Sequence, residues 1–288
     1  MKATAGNWSP DEENVYFIAS STGNLDNDSH DHILIAVNEI MTEGGLDVIK
    51  RFISEGKSVL LDSGIFNLTN EHVRKHGVTM DQALALPPDE IDGFDKLYKR
   101  YREIIDEIGD KVWGYIELDQ GGRENKIITR QKLERTGCRP MPVYHPLNDG
   151  WEYFDYLAER YDRICFGNIV QADRPTRLRL IHTAWERKKK YPKLWIHLLG
   201  MTANQWLLAL PINSCDSSSW ISSLRWGTLN APAANAPFSN MASEYIYRRD
   251  VPTDHPGGWD KANALCAYNA HFRQEVWRSA LRDRREHL

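Results

Sequence analysis

The sequence is poor in cysteine, has no excess of positive charge and contains no apolar run long enough to cross a bilayer. Its net charge is −4, so a nucleic-acid partner would need a local basic patch rather than a general positive field. None of the four cysteines has another at Cys-x-x-Cys spacing, which favours reduced thiols over a disulfide framework. The first residues lack the apolar stretch of a signal peptide. These features predict a soluble cytoplasmic protein with no membrane partner.

The length and apolar content are sufficient for one large core, with 288 residues of which 41% are hydrophobic. About eight short apolar runs alternate with helical patterns, which predicts an α/β fold of parallel strands joined by helices. We therefore predict a single domain over residues 1–288. It would comprise a (β/α)8 TIM barrel over about 15–226 and an irregular, partly helical extension over about 227–288.

Three of the predicted strands end in an aspartate, at Asp62, Asp119 and Asp216. In a (β/α)8 barrel the carboxyl ends of the strands form the active site, so we expect these side chains to meet on one rim. Ordered, partly desolvated carboxylates can serve as nucleophiles or as acid/base groups. The alternative is a helix cap, as for Asp216 in front of Ser217.

Other chemistry-bearing residues follow further predicted strands. His145 closes the run that begins at Met141, and two glycine turns follow at Gly167 and Gly200. The same topology would bring all of them to the rim that carries the aspartates. For His145 an ordinary hydrogen-bonded rim position is the alternative.

In chain order, these short motifs resemble those of the tRNA-guanine transglycosylases. Asp62-Ser-Gly-Ile-Phe-Asn67 is similar to the family's Asp-Ser-Gly-Gly-aromatic-Gln signature. Leu118-Asp119 resembles the acidic base-recognition element, and Phe166-Gly167-Asn168 and Leu199-Gly200-Met201-Thr202 resemble its glycine turns. Asp216 falls where the family keeps its nucleophile. The surrounding Ser-Cys-Asp-Ser-Ser-Ser-Trp is closer to the compact phage-type relatives that insert 7-deazaguanines into DNA.

The resemblance implies a pentosyltransferase that exchanges a guanine in nucleic acid, DNA rather than tRNA, for a 7-deazaguanine such as preQ0. Asp216 would form the covalent glycosyl-enzyme intermediate and Asp62 would act as acid and base. Asp119 would accept from the guanine N1–H and amino group, Phe66 would stack on the base, and backbone amides near the glycine turns would complete the pocket. The implied base-binding residues are Asp119, Ser63, Gly64, Phe66, His145, Gly167, Asn168 and Gly200.

A basic run lies on a predicted helix that begins near Pro175 and ends near Tyr191. It supplies four candidate contacts to a nucleic-acid backbone, at Arg174, Arg177, Lys188 and Lys189. A solvated helix face is the alternative, since long basic side chains commonly cover helix surfaces in this way.

The sequence departs from the tRNA enzymes after Asp216, where it has one cysteine, Cys266, in place of the family's zinc-binding cysteine motif. We therefore expect no metal site and no cofactor. The expected partners are DNA, or tRNA, and a free 7-deazaguanine base, in the host cytoplasm if the protein is phage-encoded. A homodimer or an accessory protein stays open.

Three other functions remain open at this stage. They are a tRNA-guanine transglycosylase, a glycoside hydrolase-like barrel that uses the same two carboxylates, and a non-catalytic nucleic-acid-binding subunit with the same barrel. The presence of both Asp62 and Asp216 argues against the last of these.

Overall fold

A computed structural model describes residues 4–9, 15–19, 30–202 and 212–219. The described strands are β1 (Val15–Ala19), β2 (His32–Ala36), β3 (Ser58–Asp62), β4 (Gly114–Tyr115), β5 (Val143–Tyr144), β6 (Arg163–Phe166), β7 (Trp195–Leu198) and β8 (Ser214–Ser217). The described helices are α1 (Glu43–Ser54), α2 (Ile65–His76), α3 (Met80–Ala85), α4 (Phe94–Ile108), α5 (Gly122–Glu134), α6 (Trp151–Arg160) and α7 (Arg174–Lys188). Short 3-10 turns lie at Val37–Ile40, Pro88–Glu90 and Ile169–Gln171.

All eight strands form one parallel sheet in the order β4-β3-β2-β1-β8-β7-β6-β5. The first and last strands pair in its middle, and the sheet curls into a half-barrel. The segments beside the two edge strands meet at a single parallel bridge between Ile116 and Met141, where Glu117 N–H donates to Met141 O over 3.0 Å. The predicted α/β fold of parallel strands and helices is confirmed at this level.

Local sequence signals account for several helices. The apolar stripe of α4 is buried along one face of the helix, as its 3.6-residue spacing predicts. Thr79 and Gln82 form a capping box at the start of α3. Asp173 caps α7, with Pro175 in its first turn.

The two-residue alternation of the strands sorts side chains between two apolar clusters. Phe17 and Leu60 belong to the cluster inside the curled sheet, whereas Ile18 and Leu61 pack between the sheet and the helices. In β8, Cys215 belongs to the helix-facing cluster. Its neighbour Asp216 therefore faces the inside of the sheet, which is what places it in the site described below.

The amino end of the sheet interior is closed by one buried cation. Arg163 donates to Trp113 O over 2.7 Å, to Ala5 O over 2.6 Å and to the Thr4 hydroxyl. Its guanidinium also lies 4.6 Å from the ring centre of Trp8. The segment 4–9 thus covers this end of the sheet and is fixed there by polar and aromatic contacts.

Some predicted elements are shorter in the structure or lie outside its described part. The strand predicted to reach Asp119 is regular only over Gly114–Tyr115 and continues as the single bridge at Ile116, after which the Glu117 carboxylate accepts from Val143 N–H of β5. The segment 203–211 and the extension predicted over about 227–288 lie outside the described residues. Among the residues described, no helix is long and apolar enough to span a membrane.

Candidate active site

A cavity of about 690 Å³ opens at the carboxyl ends of the strands. Its walls contain Asp62, Asp119, Asp216, His145 and Glu39. Within the described part of the chain, the lining holds no lysine or arginine. The three strand-end aspartates therefore meet in one cavity, as the topology predicted, and no cation of the lining faces them.

Asp216 is held in a fixed orientation at the end of β8, with only 6% of the residue exposed. Its Oδ1 atom accepts from Gly200 N–H over 3.0 Å and lies 3.2 Å from His197 Nε2. Both of these hydrogen bonds fall on the same carboxylate oxygen. Oδ2, which neither of them uses, is the candidate atom for attack on a ligand.

His197 belongs to a buried chain of hydrogen bonds that runs from β7 to β8. Trp195 Nε1–H donates to Ser214 Oγ over 2.7 Å, and Ser214 Oγ lies 2.8 Å from His197 Nδ1. An indole can only donate, which leaves the serine hydrogen free to point at His197 Nδ1. The neutral tautomer with hydrogen on Nε2 then satisfies every bond, and His197 donates to Asp216. The prediction missed His197.

Asp62 lies at the end of β3, where α2 begins. Its carboxylate accepts from the backbone N–H groups of Ser63 and Gly64, and these bonds favour the charged form. Burial acts in the opposite direction and is the largest effect, followed by the charges of Asp119 and Asp216. Together they raise the pKa of Asp62 to about 7, so both protonation states are populated near neutral pH.

Ser63 and Gly64 contact Asp62 through their backbone N–H groups. Both are buried, and neither belongs to the described lining of the cavity, which differs from the base contact predicted for them. Gly64 has a φ of +83°, and a Cβ there would approach Asn38 Oδ1 to 2.8 Å. Only glycine fits this turn, and the turn is what aims the backbone N–H groups at the carboxylate.

Asp119 and His145, which follow the two edge strands β4 and β5, form a pair. His145 Nε2 lies 3.1 Å from Asp119 Oδ2. The backbone of His145 is fixed in turn, because its N–H donates to Asp149, which also accepts from the buried ammonium of Lys126 over 2.9 Å. The rim position predicted for both side chains is therefore the observed one.

The two glycine turns use their amides within the protein. Gly167 N–H donates to Tyr144 O over 2.8 Å, and Gly200 N–H donates to Asp216. This differs from the expectation that these amides would contact the base. Both glycines line the cavity, and Gly167 makes room for the His145 ring, which a Cβ would approach to 2.7 Å.

Two side chains of the cavity lining, Phe66 and Asn168, are not fully engaged within the described part of the protein. Phe66 is 58% exposed in the first turn of α2, the only aromatic side chain among the exposed large hydrophobic residues that the structure describes. Asn168 has a left-handed backbone with φ of 46°. Its buried Oδ1 has no hydrogen-bond partner among the described residues. A stacking surface and an unused acceptor are both features of a ligand site.

Glu39 is an acidic residue of the site that the prediction missed. It lies in the 3-10 turn after β2 and lines the cavity. Its Oε2 is buried with no partner in the described part of the chain, and burial raises the pKa of Glu39 to about 7. The signal was present in the sequence, since Glu39 follows an apolar run as Asp62 does, but the run 32–40 did not distinguish a strand from a helix.

The predicted phosphate contacts divide between the two ends of α7. Arg174 and Arg177 lie in its first turn, beside the cavity-lining segment Ile169–Gln171, whereas Lys188 ends the helix about 21 Å away. Arg177 donates to Val170 O and Ala172 O over 2.8 and 2.9 Å, so it fixes the rim segment.

The two lysines are engaged at the far end of α7. Lys188 donates to Asn213, and burial lowers the pKa of Lys188 to about 8. Lys189 is exposed and pairs with Glu186 over 2.9 Å. Arg174 begins α7 at the end of the helix beside the cavity, whereas the two lysines lie at its other end.

No family model matches the chain, and the search of curated proteins finds no significant match.

Proposed function

We propose that the protein is a guanine transglycosylase that replaces a guanine base in DNA with a 7-deazaguanine such as preQ0. The observation that carries the proposal is the meeting of Asp62, Asp119 and Asp216 in one cavity of about 690 Å³, large enough for a purine and its sugar. Each of these three residues belongs to one of the sequence motifs that resemble those of the transglycosylases.

The barrel implied by this family requires the sheet to close. We infer that closure runs along the bridge between Ile116 and Met141, where the Glu117 carboxylate accepts from Val143 N–H over 2.6 Å. Glu117 is itself paired with buried Arg130 over 2.7 Å. The Glu117 side chain thus supplies a hydrogen bond between the two short edge strands, where other neighbouring strands of the sheet are joined by backbone hydrogen bonds.

In the first half of the reaction, Asp216 Oδ2 attacks C1′ of the nucleotide and the glycosidic bond to guanine breaks. Asp62 in its neutral form delivers a proton to the departing base. The Gly200 amide and His197 both bond to Oδ1 of Asp216 and so fix the orientation of the carboxylate. Because neither donor bonds to Oδ2, the lone pairs of that oxygen stay available for attack. The product is a glycosyl ester on Asp216 and a free neutral guanine.

In the second half, the incoming 7-deazaguanine attacks C1′ and Asp216 leaves as a carboxylate. Asp62, now ionised, accepts the proton that the incoming base gives up. A pKa of about 7 suits a group that must be acid and then base in the same cycle. Proton and electron pair return to their starting positions, and no cofactor is required.

The acid-rich lining favours a ligand edge that donates hydrogen bonds. Guanine and its 7-deaza analogues offer two donors, N1–H and an exocyclic amino group. Asp119 can accept hydrogen bonds from them while His145 keeps its contact with the Asp119 carboxylate. Glu39 and Asn168 also line the cavity, and each has a buried oxygen without a partner among the described residues. Phe66 offers an exposed face for stacking on the base. The target base leaves the duplex to reach them.

DNA is proposed ahead of tRNA because of the sequence around and after Asp216. The serine-rich motif resembles the DNA-acting relatives, and the cysteine motif of the tRNA enzymes is missing. The cytoplasm supplies both the polymer and a free base. Whether the enzyme acts as a homodimer or with an accessory protein stays a prediction.

A base-exchange assay with labelled guanine tests the proposal. We expect label to enter double- or single-stranded DNA, to stay out of tRNA, and to be displaced by excess preQ0. Uptake by tRNA alone would move the protein to the tRNA branch. Release of free guanine without uptake would indicate a hydrolase, and tight binding of DNA without either reaction would indicate the non-catalytic subunit.

A further inference from the structure

A second group of ligating side chains lies away from the cavity, at the end of α2. His72 and His76 are one helical turn apart on the same face, with ring centres 4.2 Å apart. Asp92, in the segment before α4, places Oδ2 2.9 Å from His76 Nε2. One ligand atom from each of the three residues lies within 4.8 Å of the others, and within the described ranges no other group of three does so.

His72 provides an independent indication of a ligand. The residue is only 7% exposed, and its Nδ1 is buried with no hydrogen-bond partner among the described residues. A buried imidazole nitrogen without a partner is unfavourable, because it has lost its hydrogen bond to water and gained none in return. The cluster therefore combines a converging geometry with an unsatisfied polar group.

Asp92 already contacts a cation through its Oδ2 atom, the atom that lies 2.9 Å from His76 Nε2. Lys75 donates to the same oxygen over 2.6 Å and is the cation that holds the site in this structure. Its side chain is two-thirds exposed, so moving it into solvent would cost little.

We propose that His72, His76 and Asp92 bind one divalent transition-metal ion, with Zn²⁺ the best match to two imidazoles and a carboxylate. Three protein ligands and one water complete a tetrahedral shell. The ion would tie the end of α2 to the segment before α4. The proposed metal site lies about 15 Å along α2 from Phe66, which lines the cavity. At that distance the ion would stabilise the position of α2 and would take no part in the reaction. This proposal departs from the expectation of no metal site, which was based on the missing cysteine motif after Asp216.

The test is a titration of chelator-treated full-length protein with Zn²⁺ alone, in competition with a chromophoric chelator. We expect one ion per chain. His76→Ala and Asp92→Asn should each weaken binding at least about tenfold, as loss of one of three ligands does. His182→Ala is the matched control, since His182 is an exposed helical histidine beside Glu186 on α7, and binding should not change.

A thermal melt of the same proteins separates binding from misfolding. Zn²⁺ should raise the melting temperature of the wild type and of His182→Ala, and should leave that of His76→Ala unchanged. The metal-free melts of all three should agree, because His76 is exposed. Absence of stoichiometric zinc in the wild type, or wild-type affinity in His76→Ala, would overturn the proposal, the latter by placing the ion elsewhere in the chain.

Discussion

The two ends of the sheet interior treat buried charge in opposite ways. At the amino end, Arg163 donates from all three guanidinium nitrogens to neutral acceptors and stacks between indole rings. At the carboxyl end, Asp62, Asp119, Asp216 and Glu39 line one cavity without a lysine or arginine among its described walls.

The difference separates stability from function. A buried charge whose hydrogen bonds are all made fixes the structure around it, whereas buried acids with a raised pKa, such as Asp62 and Glu39, cost stability and have to be retained for another reason. We therefore expect substitutions at the amino end to affect unfolding and those at the carboxyl end to affect chemistry.

Asp216→Asn should reduce base exchange by about 10⁴-fold, since loss of a nucleophile removes the covalent route. The variant keeps the shape of the side chain and removes one of the mutually repelling acids, so its stability should match or exceed that of the wild type. Exchange rates and urea unfolding on the same preparation check both parts. A large loss of stability would place Asp216 with the structural residues.

Arg163→Met should lower the free energy of unfolding by about 3–5 kcal/mol, because it leaves the buried carbonyls of Ala5 and Trp113 without donors. Arg163→Lys keeps the charge without the planar fork and should be intermediate. Arg160→Met, at an exposed ion pair, is the matched control and should change stability by less than about 1 kcal/mol. Equal effects at Arg163 and Arg160 would contradict the role given to the amino end.

His197→Leu should lower kcat by about 10–100-fold with little change in KM, since His197 positions Asp216 without touching the base. His197→Gln can place an amide N–H near the position of Nε2 and should recover part of kcat. A structural role alone would move both variants together in unfolding and would show no such recovery in kcat.

Phe66→Ala should raise KM for the base about tenfold through loss of stacking, and should barely affect stability because the side chain is 58% exposed. Ile128→Ala is the matched control. Ile128 is 62% exposed on α5 and does not line the cavity. If both variants behave alike, Phe66 is surface rather than a base platform.

Asp62→Asn should stabilise the protein at pH 8 more than at pH 5. The folded pKa of Asp62 is about 7, above the ordinary aspartate value of 3.8, so between these two values the native state binds more protons than the unfolded state. Stability contributed by this group therefore falls as pH rises through the window, and the asparagine removes that dependence. Glu39→Gln should show the same sign, since burial raises the pKa of Glu39 in the same way. Urea unfolding at both pH values checks the sign, and a benefit that shrinks from pH 5 to pH 8 would contradict it.

Much of the site was predictable because strand ends and side-chain alternation are local properties. Asp62 and Asp216 each end an apolar run, and a parallel α/β topology brings such ends together. His197 was not predictable in this way. Its partners are Asp216 and Ser214 on the neighbouring strand, so its role depends on the pairing of His197 with Ser214, which no local pattern encodes.

The glycine turns and the basic helix show a second limit. The positions of Gly167 and Gly200 followed from the strand pattern, but the partners of their amides are set by neighbouring strands. The sequence run that contains Arg174 and Lys188 looks like one basic patch, whereas the helical rise separates its ends by about 21 Å. Composition predicts charge, and only the fold decides which charges share a surface.

The most direct test of the account is a search for the covalent intermediate on the wild-type protein. A guanine-containing DNA oligonucleotide is incubated with the enzyme without an incoming base, the reaction is quenched by denaturation, and the adduct is mapped by mass spectrometry after digestion. We predict a one-to-one protein–DNA ester on Asp216 that preQ0 discharges. Base exchange that proceeds with the ester on another residue, or with no ester at all, would contradict the role assigned to Asp216.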